Sequence, residues 1–165
     1  MKSALYTIGF TQKTAEEFFN LLQSAGVRKL VDVRESREGQ LSGFAKFPDI
    51  AWFLDRLLGI PYVHEPLFAP TPEIRIPYQA TKDWPEYERS FRALMAERDV
   101  PQAINPADYE GSVALLCSEP TADRCHRRIV GEMLRDHWTA AGHEVELHHL
   151  ATPKAKGGRG KQLQT

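Results

Sequence analysis

The sequence of 165 residues contains only two cysteines and lacks any long apolar run. Cys117 and Cys125 are too few for the disulfide framework of a small secreted domain, so we expect both thiols to be reduced. No segment supplies the ~18 consecutive apolar residues of a membrane-spanning helix, which predicts that the protein has no membrane partner. The first residues turn polar too soon for a secretory signal, and we therefore expect a cytoplasmic location.

A strong excess of either charge is also absent, because the formal net charge is −1 at pH 7. Residues 152–165 are the exception, since they carry four basic residues and no acidic one. Without these charges the rest of the chain has a net charge of about −5 and is a poor general binder of a phosphate backbone. We predict one domain over residues 1–151, followed by a disordered basic tail at 152–165 that makes at most weak contacts with nucleic acid.

The chain alternates between short apolar segments and amphipathic segments. The apolar segments predict strands near residues 4–9, 29–33, 60–64, 112–117 and 144–150. Helical spacing of apolar residues predicts helices near residues 14–25, 49–58, 85–95 and 123–141. This order predicts an α/β fold, with a mainly parallel sheet of about five strands and helices on both faces.

Local signals place the ends of the predicted helices. Thr14 and Glu17 fit a capping box at the start of the first helix. Asp49 is expected to cap the second helix, whose apolar face includes Leu57 and whose end is marked by Gly59.

Two predicted connections are long, at residues 34–48 and 65–84, and each leaves the carboxyl end of a strand. Connections of this length in a compact domain are commonly functional. They carry a mixture of cationic and aromatic residues, namely Arg34, Arg37, Phe44, Lys46, Phe47, Arg75, Tyr78, Lys82 and Trp84. We expect the two loops to close over an anionic or planar ligand; two irregular surface loops are the alternative.

Polar and ionisable residues follow four of the predicted strands. Because right-handed crossovers bring the carboxyl ends of parallel strands to one edge of a sheet, we expect these residues to form one site there. The candidates are Thr11, Asp32, Arg34, His64, Cys117 and Glu119, joined by Cys125, His126 and Arg127 at the start of the last helix.

Cys117 is the strongest candidate for the reacting group. It ends an apolar strand that precedes a short loop and a helix, and in that position backbone amides and the helix dipole stabilise a thiolate. His126 or His64 would transfer protons, and Asp32 or Glu119 would orient a histidine or act as a base. The alternative is a buried structural cysteine that completes the strand.

Arg34 and Arg127 are the candidates for binding a carboxylate or phosphate through paired N–H groups. The other predicted substrate contacts come from Thr11, Cys125 and Phe44. Cys125 would also resolve an oxidised thiol. An ion pair of Asp32 with either arginine that has only a structural role stays open as an alternative.

The segment from Leu30 to Arg34 reads Leu-Val-Asp-Val-Arg and resembles a strand of rhodanese-like domains, in which a later loop between a strand and a helix carries the catalytic cysteine. Cys117 occupies a comparable place. The loop itself departs from that pattern, because Asp123 stands where a cation is typical and Pro120 removes an N–H group that would bind an anion. The resemblance therefore implies a rhodanese-like placement of strand, loop and helix rather than sulfur transfer.

A second set of motifs spans nearly the whole predicted domain. These motifs are Tyr6-Thr7-Ile8-Gly9, Val31-Asp32-Val33-Arg34, Gly43-Phe44, Gly59-Ile60 with Tyr62 and His64, Leu115-Leu116-Cys117-Ser118-Glu119 and Cys125-His126-Arg127-Arg128. In order and spacing they resemble the family called domain of unknown function 488. The resemblance implies an enzyme for which no general reaction is established. It implies as functional residues Asp32, Arg34, His64, Cys117, Glu119, Cys125, His126 and Arg127.

We therefore favour an enzyme that acts on a small anionic or nucleotide-like substrate, as a thiol-dependent transferase, hydrolase or redox enzyme. No cofactor is predicted. No metal site is predicted either, because the spacing Cys-X7-Cys-His differs from the Cys-X2-Cys pair of structural zinc, and neighbours on a helix, such as Cys125 and His126, point about 100° apart. Two alternatives stay open, namely a nucleotide or nucleic-acid binding module without catalysis and a metal- or haem-binding protein.

Overall fold

A computed structural model describes residues 1–39 and 42–153 of the chain. The strands are β1 (Lys2–Gly9), β2 (Lys29–Asp32), β3 (Tyr62–His64), β4 (Gly111–Cys117) and β5 (Glu144–His149). The helices are α1 (Ala15–Ser24), α2 (Asp49–Phe53), α3 (Pro72–Thr81), α4 (Trp84–Glu97) and α5 (His126–Ala140). From residue 154 onward, the predicted basic tail lies outside the described residues.

The five strands form one sheet in the order β3-β2-β4-β1-β5, and every pair of neighbours is parallel. This confirms the predicted α/β fold. The register places Gly9 of β1 opposite Cys117 of β4, and Asp32 of β2 opposite His64 of β3. The carboxyl ends of these four strands therefore meet at one edge of the sheet, as predicted.

Helices cover both faces of the sheet because the strand side chains alternate between two apolar clusters. In β4, Val113, Leu115 and Cys117 belong to the cluster covered by α4 and α5, whereas Ala114 and Leu116 belong to the cluster covered by α1 and α2. The chain leaves β1 and β2 toward one face and leaves β4 toward the other. Ligands of open α/β sheets bind where neighbouring connections diverge in this way, so the end of β4 is the expected location of a site.

The connection at residues 65–84 is more ordered than predicted, since it contains helix α3. Helix α3 begins at Pro72 and contains Pro77, and none of its residues is buried. Without an apolar stripe, and with a proline in its middle, this segment carries no sequence signal for a helix.

Two details of the second predicted helix are wrong. Pro48 is the N-cap residue, and Asp49 is the first residue of α2 rather than its cap. After Phe53 the helix widens into a π-helical turn at Leu54–Leu58. The wider turn rotates the side chains that follow, and Leu57 is therefore exposed rather than buried.

None of the helices among the described residues is long and apolar enough to cross a membrane.

The predicted cap of α1 is present and can be tested by mutation. Thr14 Oγ1 accepts a hydrogen bond of 3.1 Å from the backbone N–H of Glu17. We expect Thr14→Ala to lower the free energy of unfolding by about 1 kcal/mol, because an amide at the helix start loses its partner. Urea denaturation measures the change. Thr139→Ala is the matched control, since Thr139 is exposed in the last turn of α5 and its loss should change stability by less than about 0.5 kcal/mol.

Candidate functional site

A cavity of about 540 Å³ opens at the carboxyl end of β4. Cys117, Cys125 and His126 line it and are all buried, so they form its floor. The walls come from the connection after β2, from α3 and the start of α4, and from the loop between β4 and α5. The charged and aromatic wall residues are Arg34, Arg75, Lys82, Arg124, Glu35, Glu119, Phe10, Tyr78, Trp84 and Tyr87.

His126 lies beside Cys117 on the floor of the cavity. The Sγ atom of Cys117 is 3.6 Å from Nδ1 of His126 and 3.8 Å from Nε2. Nε2 also lies 2.7 Å from the carbonyl oxygen of Val33. Because a carbonyl oxygen only accepts, Nε2 carries the proton of this hydrogen bond. In a neutral imidazole, Nδ1 then carries the free lone pair, and the nearly equal distances from Sγ to the two ring nitrogens place the sulfur over the ring.

Cys125 joins this pair because it precedes the helix instead of belonging to it. Its backbone is extended, with φ −139° and ψ 139°, and His126 is the first residue of α5. The two neighbours therefore do not diverge as residues within a helix would, contrary to our expectation. The sulfur atoms of Cys117 and Cys125 and a ring nitrogen of His126 lie within 4.8 Å of one another. Both cysteines are free thiols.

The two thiols are not electrostatically equivalent. A hydrogen bond from Cys125 lowers the pKa of the Cys117 thiol, and the positive charge of Arg127 adds to this effect against the opposing effect of burial. Burial raises the pKa of the Cys125 thiol, and its hydrogen bond to Cys117 raises it further. Cys117 is therefore the thiol that ionises first.

A buried ion pair at the end of β2 holds the carbonyl group that orients His126. Arg34 Nε and Nη2 donate to the carboxylate of Asp32 at 2.9 and 2.8 Å, and Nη2 also donates to the carbonyl of Ala45 at 2.8 Å. Tyr62 donates to the same carboxylate at 2.5 Å. Burial and this hydrogen bond raise the pKa of Tyr62 to about 12. The pair flanks Val33 on both sides and so fixes the backbone there.

The turn after Cys117 is held by contacts with backbone groups. Thr11 donates both its N–H and its hydroxyl group to the carbonyl of Ser118, at 3.1 and 2.5 Å. Arg127 Nη1 donates to the carbonyl of Glu119 at 2.8 Å. Gly9 packs so closely against this turn that a Cβ atom would overlap the carbonyl group of Glu119. These contacts fix the position of Cys117 relative to α5.

Arg127 is a buried cation without a carboxylate partner in the described part of the chain. Its side chain is 1% exposed, and its Nε atom has no hydrogen-bond partner there. Burial lowers the pKa of both Lys13 and His149, and the positive charge of Arg127 lowers them further. The region beneath the turn is therefore electropositive.

The walls of the cavity combine paired and unpaired charges. Arg75 of α3 donates to Glu35 at 2.6 Å, which links the wall formed by α3 to the connection after β2. Lys82 and Arg124 form no ion pair with the described residues. The Trp84 ring stacks on Tyr87, with 5.0 Å between centroids. Lys82 and Arg124 are thus available to an anionic ligand.

The structure brings half of the predicted site residues to the cavity. Five of the ten line it, namely Arg34, Cys117, Glu119, Cys125 and His126. Asp32, Thr11 and Arg127 lie beneath it as supports, as described above. His64 is bound through Nε2 to the carbonyl of Arg34 at 3.1 Å. Phe44 packs on Phe18 of α1 and lines a separate apolar groove.

Eight charged or aromatic wall residues were not named as catalytic or substrate-binding residues, although four of them belong to the connection at residues 65–84 that we expected to close over a ligand. The eight residues are Phe10, Glu35, Arg75, Tyr78, Lys82, Trp84, Tyr87 and Arg124. The cationic and aromatic composition of residues 65–84 was the available signal for four of them, but without the path of α3 it could not show which side chains face the cavity.

The parallel sheet and the buried thiol between a strand and a helix define an α/β protein with a candidate thiol site at the carboxyl edge. The family model described as domain of unknown function DUF488 matches residues 14–134, and the chain belongs to this family, as its motifs predicted. No curated protein and no solved structure matches the chain.

The close approach of Gly9 to the turn after Cys117 predicts a large effect for a small substitution. We expect Gly9→Ala to lower the free energy of unfolding by about 1–3 kcal/mol, because the added methyl group must displace the backbone of Glu119. Urea denaturation provides the measurement. Gly43→Ala is the matched control, since a Cβ atom there meets nothing within 4 Å. Equal effects of the two substitutions would contradict this account of Gly9.

The buried ion pair of Asp32 and Arg34 predicts a larger loss of stability on mutation than the more exposed ion pair of Glu35 and Arg75. Asp32→Asn leaves the Arg34 charge buried without its partner and should cost about 3–5 kcal/mol of unfolding free energy. Glu35→Gln breaks the ion pair with Arg75, whose side chains are 28% and 40% exposed, and should cost less than about 1 kcal/mol. Denaturation of both variants at pH 7 tests this difference, and a loss at Asp32 as small as that at Glu35 would show that the pair does not stabilise the end of β2.

Proposed function

We propose that the protein is a thiol-dependent enzyme that acts on a small anionic substrate in the cavity at the end of β4. The observation that carries this proposal is the contact between Cys117 Sγ and His126 Nδ1 at the floor of a cavity with cationic walls. In this proposal Cys117 is the nucleophile and His126 is its base. Thiols paired with histidine serve as nucleophiles because the histidine accepts the thiol proton.

The proposed step is a nucleophilic displacement. The thiol proton of Cys117 passes to Nδ1 of His126, while Sγ forms a bond to an electrophilic atom of the substrate. The leaving group departs with the electron pair of the broken bond and takes the proton from Nδ1. Water or a second substrate then displaces the thiol in a hydrolase or transferase, respectively. The hydrogen bond of Nε2 to Val33 keeps the ring in the tautomer that this step needs.

The charge distribution supports an anionic substrate. The first turn of α5 contains no acidic residue and instead begins with His126, Arg127 and Arg128. Cations at the N-terminus of a helix oppose its dipole. Glu88 and Glu132 pair with Arg128, but Arg127 has no carboxylate partner among the described residues, so its charge is unfavourable unless an anion lies near it. A thiolate at Cys117 supplies one such charge, and an anionic substrate bound near Lys82 and Arg124 supplies another.

The volume of the cavity, about 540 Å³, lies in the range of small-molecule sites. Lys82 and Arg124 would bind the anionic group, and the apolar part of the substrate would lie against Tyr78 and Tyr87. Because the Trp84 ring is already stacked on Tyr87, we favour contact with ring edges over stacking of a base.

The remaining predicted residues take supporting roles in this proposal. Arg34 lines the cavity and adds positive charge, although Asp32 occupies two of its nitrogen atoms. Glu119 is exposed at the cavity wall and is the available second proton carrier. Asp32, Thr11 and His64 act as positioning residues, because their polar groups are bound to the backbone or side chains of the site.

The test is the alkylation rate of each thiol in the reduced, chelator-treated protein at pH 7, measured by peptide mass spectrometry. We expect Cys117 to react faster than Cys125. We expect His126→Asn to slow Cys117 by about tenfold or more, because the thiol loses its base. Phosphate or adenosine monophosphate should protect Cys117, and Lys82→Ala and Arg124→Ala should weaken this protection.

Arg89→Ala is the matched control, because Arg89 is an exposed arginine of α4 that pairs with Glu86 outside the cavity. It should leave protection unchanged. A Cys117 that reacts no faster than Cys125 and does not respond to His126→Asn would exclude the proposed nucleophile. Protection by adenosine monophosphate in such a protein would instead indicate a nucleotide-binding module without catalysis.

A further inference from the structure

The floor of the cavity also has the geometry of a metal site. We propose that Cys117, Cys125 and His126 bind one soft divalent cation of the zinc class. With Zn–S of about 2.3 Å and Zn–N of about 2.0–2.1 Å, two ligand atoms of a tetrahedral site lie about 3.5–3.8 Å apart. The 3.6 Å between Cys117 Sγ and His126 Nδ1 matches this spacing, and the third ligand atom lies within 4.8 Å of both.

The environment of His126 fits a metal ligand. Metal-binding histidines commonly donate their other ring N–H to a carboxylate or backbone carbonyl, which fixes both the tautomer and the orientation of the ring. The hydrogen bond from Nε2 of His126 to Val33 does this and leaves Nδ1 as the ligand atom. Because Cys117 Sγ lies at nearly the same distance from both ring nitrogens, the sulfur must move toward the plane of the ring for one ion to contact both Sγ and Nδ1.

The charges of the ligands fit a divalent ion. Two thiolates balance the charge of the ion, and a neutral imidazole adds none, so the buried floor gains no net charge. Thiolate and imidazole ligands select zinc over calcium and magnesium, which prefer oxygen.

The proposed site keeps one position open. No further histidine, cysteine, aspartate or glutamate joins the three ligands in the part of the chain that the structure describes. All three ligands line the cavity, so the fourth position faces it and is available to water or to an anionic ligand. This inference goes beyond the proposed function and does not depend on it, and a bound ion would prevent Cys117 from attacking a substrate.

The experiment is a titration of the reduced, metal-free full chain with Co²⁺, which serves as a spectroscopic substitute for Zn²⁺. We expect a thiolate-to-cobalt charge-transfer band and the visible bands of tetrahedral coordination, both saturating at one ion per chain and both lost when Zn²⁺ is added. Cys117→Ser and Cys125→Ser should each weaken binding about tenfold or more and reduce the charge-transfer band. His126→Asn should change the visible bands while leaving thiolate coordination.

His148→Asn is the matched control, because His148 is an exposed histidine paired with Glu146 outside the cavity. It should leave the spectrum unchanged. Zn²⁺ should also protect both thiols of the unmodified protein from alkylation, a measurement that does not depend on whether the variants fold.

Absence of the charge-transfer band in the folded, reduced protein would overturn the metal proposal. Loss of Co²⁺ binding in His148→Asn, together with unchanged binding in Cys117→Ser and Cys125→Ser, would also overturn it. These outcomes are independent of the thiol chemistry. A protein that binds Co²⁺ through both cysteines but has a slow, His126-independent Cys117 when metal-free would retain the metal site and lose the proposed function. A protein that does not bind Co²⁺, but whose metal-free Cys117 reacts fast and depends on His126, would retain the proposed function and lose the metal site.

Discussion

The hydrogen bond from His126 to the carbonyl of Val33 is the contact on which the rest of the site depends. It joins the start of α5 to the end of β2 across β4, the strand that carries Cys117. It also determines which ring nitrogen carries the proton. The ion pair of Asp32 and Arg34 flanks the acceptor carbonyl, so this pair also sets the position of His126 relative to Cys117.

The site concentrates positive charge where the fold itself does not benefit from it. Arg127 is buried without a carboxylate among the described residues, whereas its neighbour Arg128 pairs with Glu88 and Glu132. Stability alone would favour acidic residues in the first turn of α5. A departure of this kind from the locally stable choice is typical of a functional site, and both proposals supply the missing negative charge, either as thiolates or as an anionic ligand.

The sequence predicted the order of the elements, the parallel sheet and the edge at which the site lies, because strand and helix periodicities are local and crossovers have a preferred hand. It could not predict α3, whose residues form no apolar stripe. It also misled us about Cys125 and His126. Two adjacent residues within a helix point too far apart to bind one ion. Cys125, however, precedes the first residue of α5, so this restriction does not apply to it. A small error in the predicted start of a helix is therefore enough to reverse the conclusion about a metal site.

The close packing of Gly9 against Glu119 separates a part of the site that tolerates no added side-chain atoms from a part that tolerates substitution. Beneath the thiol, the positions are set by main-chain atoms in contact with one another, and a substitution there has no room. Around it, the boundary is formed by side chains of α3 and of loops, whose replacement disturbs little of the core. Substitutions that change the shape of the cavity mouth are therefore compatible with an unchanged arrangement of Cys117, Cys125 and His126 at its floor.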